Sequence, residues 1–98
     1  MSTNSFLIGE TVRLTLALAD LSGTAADPGA LRLKTKSPAG ATTTTAYGGG
    51  TLLKDSVGNY HIDLTPASTG LWFYRWEADA PNAGAAEGSF NVMASKVI

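Results

Sequence analysis

The chain has 98 residues, 44% hydrophobic and 15% charged, which fits one folded domain with a single core and argues against a disordered chain. A net charge of −1 gives no basic footprint for nucleic acid or an anionic membrane, and the lack of cysteine excludes disulfides, thiolate metal sites and cysteine nucleophiles. No apolar run approaches the ~20 residues of a membrane helix, and residues 1–10 lack a secretory-signal pattern, so the sequence predicts a soluble, cytoplasmically made protein.

Residues 1–5 are polar and read as a loose tail, as do residues 94–98 at the other end. Phe6-Leu7-Ile8 predicts a short edge strand, ended by Gly9-Glu10. Val12, Leu14, Leu16 and Leu18 then alternate with Thr11, Arg13, Thr15 and Ala17, and this unbroken period of two favours a strand over a helix. Asp20-Leu21-Ser22-Gly23 reads as a turn, and Asp27-Pro28 interrupts the segment that follows. In the next strand Leu31, Leu33 and Thr35 alternate with Arg32, Lys34 and Lys36, so one face is wet. After the turn Ser37-Pro38-Ala39-Gly40, Thr42 to Tyr47 is β-branched but nearly without aliphatics, as an edge strand over a thin part of the core would be. Gly48-Gly49-Gly50 has no side chains to hold it and predicts a wide turn before a short strand at Thr51–Lys54 and a turn at Asp55–Gly58.

The heaviest stretch is Gly58–Glu77, with both tryptophans and the only histidine. Tyr60, Ile62 and Leu64 alternate with His61 and Asp63; Trp72, Tyr74 and Trp76 alternate with Phe73, Arg75 and Glu77. The charged pair Arg75 and Glu77 fixes the even positions as the core face, because a one-residue slip would bury two charges. Residues 78–84 form a hairpin loop, and the last strand carries Ala86, Gly88, Phe90 and Val92 on one face. The resulting expectation is an all-β, immunoglobulin-like β-sandwich of seven or eight antiparallel strands without a disulfide, one domain spanning residues 1–98. Its buried set is Leu14, Leu16, Tyr60, Ile62, Leu64, Trp72, Tyr74, Trp76, Phe90 and Val92. Setting Ala78 opposite Ala86 in the last hairpin places Trp76 against Gly88, Tyr74 against Phe90 and Trp72 against Val92, so the smallest residue faces a large ring.

No residue set points to catalysis, a metal or a cofactor. His61 and Asp63 would share an outer face, but neither further ligands nor a nucleophile accompany them, which is the pattern of a solvated pair. Gly48-Gly49-Gly50-Thr51 with Lys54 lacks the GK[ST] ending and the helix of a phosphate loop. Asp20, Ser22 and Asp27 are explained by turn chemistry rather than by calcium. The run Trp72-Phe73-Tyr74-Trp76 would be a sugar-stacking platform only if exposed, and its even members face the core, leaving Phe73 and Tyr47 as the exposed rings. Contacts with a partner are expected through edges, tails and that exposed ring: Phe6, Thr42, Thr44, Phe73, Val97 and Ile98.

Gly70-Leu71-Trp72-Phe73-Tyr74 resembles the corner between the fifth and sixth main strands of immunoglobulin-like domains, with Trp72 where a tyrosine is usual. Together with Gly9–Leu14, Asp27-Pro28, Ser37–Gly40, Gly58–His61, Arg75–Glu77 and Glu87–Val92, it resembles the small immunoglobulin-like proteins encoded among the structural genes of tailed bacteriophages and prophages. The resemblance implies a non-enzymatic virion structural protein, assembled in the host cytoplasm as a decoration or accessory protein on capsid or tail shell proteins. Self-association is a further option, and no cofactor is implied. The alternative is a bacterial cell-surface or carbohydrate-binding immunoglobulin-like module, which exposed aromatics or a fused catalytic domain would favour.

Overall fold

The structure, a computed structural model, describes residues 5–80 and 83–97. Among them, eight strands follow in chain order: β1 (Ser5–Leu7), β2 (Val12–Ala17), β3 (Leu31–Lys36), β4 (Thr42–Ala46), β5 (Leu52–Ser56), β6 (Asn59–Leu64), β7 (Gly70–Ala78) and β8 (Gly84–Met93). They form a five-stranded sheet, β1-β8-β7-β3-β4, and a three-stranded sheet, β2-β6-β5. This is the immunoglobulin-like division, with β2, β6 and β5 in the B-E-D positions and β3, β7 and β8 in the C-F-G positions. The expected all-β sandwich is thus the fold. One pairing departs from the antiparallel expectation: β1 runs parallel to β8, Phe6 opposite Val92.

The alternation seen in the sequence decides which faces meet. Val12 and Leu14 of β2, Leu31 and Leu33 of β3, Leu52 of β5, Tyr60 and Ile62 of β6, Trp76 and Ala78 of β7, and Phe90 and Val92 of β8 are buried between the sheets. Leu16, Leu64, Trp72 and Tyr74, expected in the buried set, are half-buried and pack against it from the rim. Phe90 gathers the aromatic end of the core. Trp72 stacks on it with 5° between planes, Phe6 meets it edge-on at 6.0 Å, and Tyr74 lies tilted at 6.3 Å. The Trp72 indole N–H donates to the Ser68 carbonyl at 3.0 Å, so this tryptophan ties the corner back to the upstream backbone as a corner tyrosine does. The buried indole N–H of Trp76 has no hydrogen-bond partner among the described residues, a desolvation cost of about 1–3 kcal/mol that its large buried ring surface offsets.

The β7–β8 register differs from the expectation by two residues. Ala78 faces Gly84, Trp76 faces Ala86, Tyr74 faces Gly88 and Trp72 faces Phe90. The loop is therefore shorter than expected, and the small residue serves Tyr74 rather than Trp76. A side chain at Gly88 would run into the Tyr74 ring. The turn before β6 is also tighter than expected: β5 continues through Ser56 with a register shift after Lys54, leaving Val57-Gly58 to turn the chain. Gly58, at φ 77°, sits so close to Leu18 and Ala26 that a Cβ would lie 2.5 Å from the Leu18 carbonyl oxygen, and its N–H donates to Asp27 at 2.9 Å.

Candidate functional site

The outer face of the five-stranded sheet follows from the same alternation that built the core. With Leu31, Leu33 and Thr35 turned inward, β3 places Arg32, Lys34 and Lys36 outward. On β7, Trp72, Tyr74 and Trp76 point in, so Phe73, Arg75 and Glu77 point out. Registers then set these rows side by side: Arg32 against Glu77, Lys34 against Arg75 and Thr44, Lys36 against Phe73 and Thr42. On the other flank, Arg75 faces Glu87 and Phe73 faces Ser89. Lys34, Lys36, Thr42, Thr44, Phe73 and Arg75 line a shallow depression of about 600 Å³. Phe73 lies in it half exposed, at 50%, with Leu71, also exposed, next on the same face of β7.

Charge on this face is organised around Glu77. Its carboxylate accepts from Arg32 Nε at 2.8 Å and Arg75 Nε at 2.9 Å, and pairs with Lys34 Nζ at 3.2 Å. Only 17% of its side chain is exposed. Bonds from Arg75, then Lys34 and Arg32, outweigh that burial and pull the Glu77 pKa down to about 2. Arg75 also reaches Glu87 at 2.9 Å, and Arg32 reaches Asp79 at 3.1 Å. Glu77 is thus held ionised and cannot serve as a general acid near neutrality.

The partner-contact residues expected from sequence are only partly brought together. Thr42, Thr44 and Phe73 meet in the depression on the β4 side. Phe6 lies at the opposite edge of the same sheet, half-buried against Phe90. Val97, 92% exposed, follows β8 and joins neither group, and Ile98 lies outside the described residues. What sequence reasoning missed is the cluster of Arg32, Lys34, Arg75 and Glu87 around Glu77, which only the cross-strand registers create.

His61 and Asp63 do not pair as expected. His61, in the middle strand of the smaller sheet, is buried and its Nδ1 lies 2.7 and 2.8 Å from the two Asp55 oxygens. Since a carboxylate only accepts, Nδ1 carries the proton. Asp63 is instead gripped by Arg13 through two bonds of 2.8 and 3.0 Å. Asp20 closes its own turn through Ser22 and Thr24. Asp27 accepts from Lys54, Gly58 and Tyr60, which lowers its pKa to about 2, with the Lys54 bond the largest cause. A smaller cleft of about 210 Å³ opens there beside half-exposed Tyr47, whose ring meets Tyr60 edge-on at 5.5 Å. Its ionic groups already satisfy one another. Among the described residues no cluster of three histidines or carboxylates could hold a metal.

No protein-family model matches this sequence, and no curated protein matches it. Among solved structures, 95% of the chain superposes with a TM-score of 0.64 and 16% identity on a provisionally named glycoside hydrolase from Bacteroides vulgatus, of which it covers 17%. The likeness shows a shared fold, and the chain corresponds to a small part of that bacterial protein. It overturns the bacteriophage reading: the sandwich is matched in a bacterial, non-viral protein, so the virion function, the capsid or tail shell partners and the virion location are not retained. The physical reason lies in the motifs that carried the resemblance. Gly58 and Gly70 have positive φ and hold turns against neighbouring backbone or side chains, a service any such sandwich requires.

Proposed function

We propose that this chain is a non-catalytic carbohydrate-binding β-sandwich module of a bacterial protein, binding its glycan on the outer face of the five-stranded sheet. The observation that carries this reading is Phe73, a half-exposed ring in a shallow, open depression lined by groups able to hydrogen-bond sugar hydroxyls. A pyranose presents an apolar face of C–H groups and a polar rim. The ring offers the first a stacking surface, while Thr42, Thr44, Lys34 and Arg75 offer the second donors and acceptors. An open face suits an extended chain, along which several weak contacts add by multivalency. The fold likeness to part of a larger bacterial protein named as a glycoside hydrolase supports the same context.

Native gel electrophoresis in gels containing neutral glucans or pectins tests this reading. Retardation of the wild type by at least one of these polysaccharides, lost in Phe73→Ala, is expected. Because Phe73 is on the surface, the variant should keep its stability to within about 0.5 kcal/mol, which a thermal melt checks. A wild type that none of these polysaccharides retards, or a Phe73→Ala variant retarded equally, contradicts the proposal.

A further inference from the structure

We infer that the Lys36 end of this face accepts the carboxylate of an acidic sugar, so that the ligand is a uronic-acid-containing polysaccharide. The inference rests on the carbohydrate-binding reading above and adds the class of sugar. It comes from the uneven way the face spends its charges. Arg32, Lys34 and Arg75 all converge on Glu77, and Arg32 and Arg75 have second carboxylates in Asp79 and Glu87. Lys36 has no carboxylate partner among the described residues and is exposed. Four cations therefore face three carboxylates, and the unmatched one lies at the end of the row away from Glu77. The whole chain carries −1, so this end has the opposite sign to the molecule.

Position gives that charge a ligand. Lys36 lies directly across from Phe73 on β7 and from Thr42 on β4, with adjacent strands about 4.8 Å apart. A uronic acid carries its carboxylate on the ring carbon next to the ring oxygen, at the edge of the sugar. With its apolar face on Phe73, that edge reaches the strand beside it, where the flexible Lys36 stem can bring its ammonium to the carboxylate. Lys34, 48% exposed and 3.2 Å from Glu77, holds the loosest of the three contacts to that carboxylate and is placed to share a second anion. On the other flank Ser89 faces Phe73 and Glu87 is paired with Arg75, so the unmatched cation beside the ring lies on β3. The Phe73 ring supplies stacking; Lys36 supplies the choice between acidic and neutral sugars.

Polygalacturonate and its fully methyl-esterified form share one backbone and differ in charge, which makes them the deciding pair of probes. Calorimetric titration of the 98-residue chain is expected to give tighter binding to polygalacturonate than to the ester, with the difference shrinking as salt rises from about 0.05 to about 0.5 M. Lys36→Gln should lower affinity for the acid form up to about five-fold, the size of one exposed ion pair, and leave the ester unchanged. Phe73→Ala should weaken both. Equal wild-type affinity for the two forms overturns the acidic-sugar inference and leaves the carbohydrate-binding reading standing. Acid-form binding that Lys36→Gln weakens but Phe73→Ala does not reveals mere polyanion attraction and overturns the subsite. Binding to neither form overturns the inference, and the neutral glucans then decide the broader reading.

Discussion

Glu77 illustrates how far a single side chain's chemistry depends on registers that link strands distant in sequence. Read along the chain, it shares a wet face with Arg75 and invites no special role. In the fold three cations meet on it, Arg75 foremost, and its pKa falls to about 2 from an ordinary 4.5. Asp27, bonded by Lys54, Gly58 and Tyr60, falls likewise to about 2 from 3.8. Both folded-state values are depressed, so the stability these groups contribute is fully present above 4.5 and 3.8 and is lost as pH falls through that range toward about 2. The melting temperature is accordingly expected to drop between about pH 4.5 and 2. Glu77→Gln, followed by circular dichroism over the same range, should show a shallower drop. A profile parallel to that of the wild type contradicts the role given to Glu77. His61 shows the opposite limit of sequence reading. Its outward position was legible from alternation, whereas its partner was not, because Asp55 lies where the β5–β6 register shifts and period two no longer applies.

At the scale of elements, alternation determined the parity of the faces of β2, β3, β6, β7 and β8 but not how far paired strands slide. A slip of two residues keeps each side chain on its own face, so the β7–β8 hairpin could be read in either offset from sequence alone. The loop decides: closing with Ala78 opposite Gly84 puts Gly88 beneath Tyr74. That placement makes a sharp prediction. Gly88→Ala adds a methyl group where the Tyr74 ring lies, and the ring must leave its present packing, so the variant should lose about 1–3 kcal/mol in urea denaturation. In the expected offset Gly88 would instead have accommodated Trp76. A Gly88→Ala protein as stable as wild type would contradict the observed register. The same limit explains the candidate site. Phe73 and the outward row Arg32, Lys34, Lys36 were legible strand by strand, but the neighbourhood of Lys36 and Phe73 exists only because β3 pairs with β7 at one particular offset.

For the molecule as a whole, the sandwich was legible because turn residues and period-two runs are imposed by the fold itself. The assignment to a bacteriophage virion failed because it drew on those same features, which record how a chain turns and packs rather than what it meets. Function in a scaffold of this kind resides in what the outward rows display. Here they display a ring, hydroxyls and a surplus cation on the broader sheet, while Arg13–Asp63 and His61–Asp55 pair on the narrower one. The claim that the broader face binds sugar is tested most directly by following backbone amide NMR shifts while galacturonate and glucose oligosaccharides are titrated in parallel. Shifts centred on Lys34, Lys36, Thr42, Thr44, Phe73 and Arg75 with at least one of the two series are the predicted result; shifts centred instead on the Tyr47–Lys54 cleft or on β2 and β6, or none with either series, would contradict it.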